Sequence, residues 1–238
     1  MPQLSVITIN YNDANGLEKT IVSLVNQSYQ DFELIVIDGG SYDGSVDVIK
    51  KYIPAISYWV SEKDKGIYNA QNKGINKAHG NYCLFLNSGD YLADNKVLET
   101  VFAENRKEDI VYGDMLTIDE SGEMKRLNMP DFVGVKRMLA DTIWHPVTFI
   151  KKELFNKFGC YNEDYRIAAD YDFFVHVLIS EKVSQKHLPI VICVFDRTGI
   201  SSDPSNMKSL IEERNKIQNT YFNYFVLILF RLYSKLRN

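Results

Sequence analysis

Leu4-Ser5-Val6-Ile7-Thr8-Ile9-Asn10-Tyr11-Asn12-Asp13 decides the fold of this chain. The run from Leu4 to Ile9 is almost continuously apolar, as in a strand covered on both faces. A polar loop follows, and then Leu17, Ile21, Leu24 and Val25 recur at helical spacing. The same unit repeats. Phe32–Ile37 leads through a Gly/Ser/Asp turn to a short helix ending near Ile49, and Ile56–Val60 leads to a helix with Ile67, Ala70, Gly74, Ile75 and Ala78 on one face. Tyr82–Leu86 precedes a helix lined by Val97, Leu98, Val101 and Phe102, and Asp109–Tyr112 reads as a fifth strand. Strands alternating with helices predict parallel βαβ units in an α/β fold: a Rossmann-like, mostly parallel sheet with helices on both faces.

After Gly113 the pattern changes. Met115–Asp119 and Met124–Asn128 flank Glu120-Ser121-Gly122-Glu123, a hairpin signal. Phe132–Trp144 fits neither period. Val147–Ile150 reads as a strand, Glu153–Phe158 as a short helix, Asp170–Ile179 as a stronger helix and His187–Val194 as a strand. The chain thus divides into residues 1–114, residues 115–204 of the same domain, and a helical tail, 205–238. In that tail Phe225, Ile228, Leu229, Leu232 and Leu236 form an apolar stripe opposite Arg231, Ser234, Lys235 and Asn238.

Composition narrows the function. The 238 residues, 45% of them apolar, build one sizeable core. A net charge of −4 argues against a basic nucleic-acid surface. The charge is uneven. No acid follows Glu213, so the last 25 residues carry +5, and the first 213 carry −9, with 22 cations against 31 acids. Cys83, Cys160, Cys193 and the four histidines have neither disulfide nor metal-ligand spacing. The longest apolar run, Phe225–Phe230, falls far short of the ~20 residues of a membrane span. Met1–Asn12 lacks the marks of a secretory leader, so the expected location is the cytoplasm. The basic, apolar tail suits the inner face of the plasma membrane, a homodimer contact, or simple cover for the domain.

In open parallel sheets, ligands bind beyond the carboxyl ends of the strands. Those ends read Asn10-Tyr11-Asn12-Asp13, Asp38-Gly39-Gly40-Ser41-Tyr42-Asp43-Gly44-Ser45, Ser61-Glu62-Lys63-Asp64-Lys65-Gly66 and Asn87-Ser88-Gly89-Asp90. Turn and helix-cap chemistry accounts for any one of these loops; four on one rim predict a ligand site. The chain has neither a GxGxxG after its first strand nor a GxxxxGK[ST], which argues against a Rossmann dehydrogenase and a P-loop nucleotidase. An acidic rim accepts phosphate through a divalent cation, and oxygen ligands such as Asp90 and Asn87 suit Mg2+ or Mn2+. Asp38 can accept from the N–H edge of a nucleobase and Tyr11 can stack on it. A metal-bound nucleoside diphosphate is the simplest ligand that meets these constraints.

These stretches, together with Ser61–Gly74, Phe85–Asp90 and Gly159–Phe173, resemble the family 2 glycosyltransferases of the GT-A fold, of the inverting type that builds bacterial surface polysaccharides. The resemblance covers residues 3–202. It implies a nucleotide-sugar donor, usually UDP-linked, bound by residues 1–114, and a glycan or lipid-linked acceptor on the side of residues 115–204. It places Asn10, Tyr11, Asp38, Asp64, Asn72, Asn87 and Ser88 at the donor, Asp90 on Mn2+ or Mg2+, and Asp170 as the catalytic base. His145, Asp172, Arg197 and Ser201 are further candidates, the last two in a loop that closes over the donor.

Two of the family's motifs are altered here. Asn87 and Gly89 stand for acids in the metal motif, and Ala169 stands for the glutamate before the base. Asp170 and Asp172 cannot both face the acceptor, because consecutive helical residues differ by about 100°. Two other readings stay open: a nucleotide-sugar sensor or inactive partner subunit, and, behind it, a nucleotidyltransferase, whose Gly-rich basic first loop is missing from Asn10–Gly16.

Overall fold

The apolar run at Leu4–Ile9 becomes an inner strand of a nine-stranded sheet in the computed structural model, which describes residues 1–118, 122–196 and 204–235. The first half alternates as expected: β1 (Leu4–Asn10), α1 (Ala14–Val25), β2 (Phe32–Asp38), α2 (Ser45–Lys51), β3 (Tyr58–Ser61), α3 (Ile67–Lys77) and β4 (Tyr82–Phe85). Then come β5 (Tyr91–Leu92), α4 (Val97–Val101), β6 (Ile110–Ile118), β7 (Met124–Leu127), α5 (Val135–Ala140), β8 (Thr148–Lys151) and α6 (Lys152–Phe158). α7 (Ala169–Val175), β9 (Gln185–Asp196), α8 (Met207–Tyr221) and α9 (Tyr224–Lys235) complete the described elements. The strand order is β3-β2-β1-β4-β8-β6-β9-β5, with β7 beside β6.

β1, β2, β3, β4, β6 and β9 point the same way, and β5, β7 and β8 run against them. The sheet is therefore mostly parallel, as the alternation predicted. Alternate side chains explain why the strands read as continuous apolar runs. Leu4, Val6, Leu34 and Val36 pack with Leu17, Ile21 and Leu24 of α1, while Ile7, Ile35 and Ile37 pack with Ala70 and Ile75 of α3. α3 lies so close that a Cβ at Gly74 would overlap the Ile7 side chain. Only glycine allows that approach.

One reading needs correction. The fifth strand and the first arm of the hairpin are one strand, β6, which passes through residue 114 with a register irregularity against β9. Apolar periodicity breaks at such a bulge although the strand does not. The tail covers part of the body. Ile217 of α8 and Leu227 of α9 are buried in the same core as α3 and α7. Of the anticipated stripe, Phe225, Leu229 and Leu232 are exposed, Ile228 is half-buried, and Leu236 lies outside the described residues. Among the described residues no helix is long and apolar enough to cross a membrane.

Candidate active site

The ends of β1, β2 and β4 open into a cavity of about 1150 Å³. Seven of the residues picked from the sequence line it: Asn10, Tyr11, Asp64, Asn87, Ser88 and Asp90 from the rim, and His145 from across the sheet. Asp170 joins them from the first turn of α7.

Asp38 is placed differently. It is fully buried and does not line the cavity. Its Oδ1 accepts from Asn10 Nδ2 at 2.7 Å and from the Ser41 hydroxyl, while Oδ2 accepts from Ser61 Oγ at 2.6 Å and from the backbone N–H of Ser41 at 2.9 Å and Gly40 at 3.2 Å. Burial pushes its carboxyl up, but the hydrogen bonds from Ser41, Ser61 and Asn10 outweigh that and hold it below the ordinary carboxylate range. Asp38 thereby knots the turn, in which Gly40 supplies the left-handed φ of +82°. Asn10 carries the knot onward, since its Oδ1 accepts from Ser88 Oγ at 2.8 Å.

At one end of the cavity Tyr11 is 65% exposed, an aromatic face free to stack. A Cβ at Gly39 would stand 3.1 Å from the Tyr11 ring and 3.3 Å from Asp64 Oδ2, so the missing side chain leaves a slot between them. Lys73 holds Asp64 at 2.5 Å and Glu62 at 2.8 Å. Asn72 points away. Its amide exchanges hydrogen bonds with the backbone of Tyr161 at 2.9 and 3.0 Å and donates to Glu163 Oε1 at 2.9 Å, so it secures the loop before α7.

The middle of the cavity holds a continuous polar chain. Gln71 Nε2 donates to Asn87 Oδ1 at 3.4 Å, Asn87 Nδ2 stands 3.2 Å from His145 Nε2, and His145 Nδ1 stands 3.4 Å from Asp170 Oδ2. The Asn87 amide stands at Nε2 of the imidazole, and Nδ1 is turned to the Asp170 side. The other oxygen, Oδ1, accepts from the Tyr171 backbone N–H and lies within hydrogen-bond distance of the Tyr68 hydroxyl, both at 2.9 Å. Burial, and then the charge of Asp170, push the Tyr68 phenol well up, so it keeps its proton, which the Ile167 backbone carbonyl also accepts at 2.6 Å. Asp172 does not line the cavity. Burial raises its carboxyl, opposed by a hydrogen bond with Tyr221.

Residues 5–166 match Glycosyl transferase family 2. The chain belongs to this family. An uncharacterized glycosyltransferase of Mycobacterium tuberculosis is 35% identical over 206 residues, covering 84% of this chain and 78% of its own length. A PGL/p-HBAD biosynthesis glycosyltransferase of Mycobacterium bovis is 29% identical over 204 residues, covering 83% and 78%. Among solved structures, S. aureus TarS in complex with UDP-GlcNAc superposes with a TM-score of 0.68 at 18% identity, over 82% of this chain and 58% of that one. Mannosyltransferase PcManGT from Pyrobaculum calidifontis, in complex with GDP-Man and Mn2+, gives 0.62 at 18% identity, over 82% and 56%. The chain spans less than two thirds of either solved structure, and the likeness is one of fold, GT-A. The protein is a glycosyltransferase.

This glycosyltransferase offers no ready-made metal cage: among the described residues no three His, Cys, Asp or Glu side chains converge on one point. Asp90 lines the cavity beside Asn87 and Ser88. One carboxylate is what Mg2+ or Mn2+ takes from a protein when substrate phosphates and water supply the remaining ligands. The set of one carboxylate beside an amide and a hydroxyl fits a hard divalent cation.

Arg197 and Ser201 lie outside the described residues. Sequence reading missed the role of α8 altogether. Glu213 accepts from three consecutive backbone N–H groups, those of Arg166, Ile167 and Ala168, at 2.8, 3.0 and 2.9 Å. These precede α7, whose cap residue Ala168 brings no side-chain acceptor of its own. Leu210 and Arg214 of α8 line the cavity. The available signal was the position of Glu213, the last acid before the basic tail.

Proposed function

We propose that this glycosyltransferase moves a sugar, with inversion, from a nucleotide-diphosphate donor, UDP-linked by preference, to a hydroxyl of a glycan or lipid-linked acceptor in surface polysaccharide synthesis. The observation that carries the reading is the Asn87–His145–Asp170 chain in the same cavity as the exposed face of Tyr11. Residues 1–114 serve the donor and residues 115–204 the acceptor, with α8 closing the acceptor side.

Tyr11 stacks on the base, with Asp64 at its edge, while Asp38 and Asn72 act at one remove by holding the loops that shape the slot. Asn10, Asn87 and Ser88 face the sugar and diphosphate. Asp170 Oδ2 takes the proton of the acceptor hydroxyl as its oxygen bonds to the anomeric carbon and the bond to the diphosphate breaks. The nucleoside diphosphate leaves from the opposite face, so a single displacement inverts the centre. Such a base is worth about 10²–10⁴-fold in rate. His145 and the Tyr68 hydroxyl fix the carboxylate's orientation. A divalent cation held by Asp90 would supply charge neutralisation for the leaving group.

Thermal melts with UDP and GDP, each with and without Mn2+, test the donor side, because a ligand that binds only the folded state raises its stability. The reading expects UDP with Mn2+ to raise the melting temperature most, and the purified protein to hydrolyse the matching nucleotide-sugar slowly without acceptor. Binding with neither hydrolysis nor transfer would make the protein a sensor. The exposed Phe225 and Leu229 of α9, 73% and 67% accessible, together with the basic chain end, support peripheral attachment to the inner face of the plasma membrane. Flotation with anionic vesicles, but not with neutral ones, is the expected result.

A further inference from the structure

We propose that Arg214 forms an anion subsite for the acceptor, so that the cavity takes an acceptor bearing a phosphate or carboxylate close to its reacting hydroxyl. The proposal rests on the glycosyl-transfer reading above and extends it to the acceptor's chemistry.

Arg214 lines the cavity from α8, its guanidinium 4.6 Å over the ring of Tyr171 and its Nη2 donating to the Asp141 backbone carbonyl at 2.9 Å. Tyr171 is itself fixed. It is buried, its hydroxyl donates to the Met138 carbonyl at 2.6 Å, and that hydroxyl accepts from Gln218 Nε2 at 3.0 Å. Glu213, one residue earlier, ties the same helix to the backbone of residues 166–168. The guanidinium is therefore pre-positioned by stacking, and its remaining N–H groups form the planar fork that suits an oxyanion.

The guanidinium has no ion-pair partner among the described residues. Among the described residues no carboxylate oxygen stands within 4.0 Å of it, and the carboxylate of Asp141 is taken by Arg137 at 2.8 Å. A half-buried guanidinium without a counter-ion is costly to keep, and a bound anion removes that cost. The position favours acceptor over donor. Arg214 stacks on α7, the helix that carries Asp170, whereas Asn87, Ser88 and Asp90, the diphosphate side, belong to the rim after β4. An anion on Arg214 would thus share the cavity with the base, on the side of α7.

The experiment is titration calorimetry on the full chain with UDP and Mn2+ present, using glycerol 3-phosphate against glycerol and glucuronate against glucose. Wild type is expected to bind at least one anionic probe over its neutral partner. Arg214→Gln should weaken that probe about ten- to a hundredfold, Arg214→Lys by less, with both neutral probes and UDP itself unchanged. Whichever anion responds names the group. Loss of UDP affinity in Arg214→Gln would assign the residue to the donor and overturn the proposal. So would a wild type indifferent to probe charge. A wild type that binds no UDP would sink the nucleotide-sugar reading instead, while the charged and neutral probes, titrated without nucleotide, would still decide this one. Should Arg214→Gln melt early, the Lys variant carries the comparison.

Discussion

The rim built by residues 10–90 and the wall built by residues 125–214 enclose one cavity by different means. In the rim, strand register does the positioning. Asn10 and Asp38 are paired partners across β1 and β2, and their side chains meet because the strands do. In the wall, side chains from separate helices hold one another through backbone groups, as Glu213 holds residues 166–168. The rim is inseparable from the sheet's stability, while the wall can lose function without losing the fold. Substitutions that reach the base should accordingly move turnover, and those confined to the rim's hydrogen bonds should move the melting point.

The largest effect belongs to the wall. Asp170→Asn keeps an oxygen for Tyr68 and the Tyr171 N–H but cannot take a proton. We expect kcat to fall about 10²–10⁴-fold with donor affinity and melting point unchanged. A matching loss of stability would break the distinction between rim and wall.

In the rim, Asp38→Ala leaves the Ser41, Ser61 and Asn10 donors facing a buried void. Unsatisfied buried groups cost about 1–3 kcal/mol each, so a loss of about 3 kcal/mol, or roughly 6–12 °C, is expected. The pH dependence has a definite sign. The folded carboxyl is held below its ordinary value of about 3.9, so its stabilisation is fully present above that pH and lost as pH falls through the folded value. Melts of wild type and variant should differ by a constant amount from pH 7 to about 5 and converge below about 4.

This contrast also marks what could be read in the sequence. β1 to β4 and their polar ends were legible because the signal lies within a few residues: an apolar run, then Asp, Asn, Ser and Gly. That located Asn10, Tyr11, Asp64, Asn87, Ser88 and Asp90 at one cavity. Local pattern could not tell that Asp38 turns inward to be saturated by its own turn, because a carboxylate at a strand end reads the same whether it faces ligand or backbone. Nor could it place α8, since Glu213 and Arg214 act on residues more than forty positions away. Their spacing carries no period that a window detects.

Glu213 offers the next test. Glu213→Ala removes the acceptor for three N–H groups at the edge of the protein, where water replaces it in part. A loss of about 1–3 kcal/mol is expected, with kcat reduced because the segment entering α7 loosens, and with UDP affinity unchanged. Glu213→Gln retains one oxygen and should recover part of both. If stability fell and kcat did not, α8 would be cover for the domain rather than part of the wall.

The smallest effect should come from Asp172, two residues from the base. Its carboxyl is raised by burial despite the hydrogen bond with Tyr221 and the charges of His176 and Lys216. A carboxyl raised on folding favours the folded state at low pH and loses that contribution as pH climbs above the ordinary range. Asp172→Asn removes the charge that burial disfavours and keeps an oxygen for Tyr221. Turnover should stay within about twofold, and the variant should gain stability relative to wild type between about pH 4 and pH 7. Two carboxylates about 200° apart on one helix would then separate cleanly: Asp170 facing His145 and the cavity, Asp172 facing α8. If kcat instead collapsed in Asp172→Asn and survived in Asp170→Asn, the base would lie on the α8 side. The polar chain through Asn87 and His145 would then be a structural link between rim and wall with no part in proton transfer.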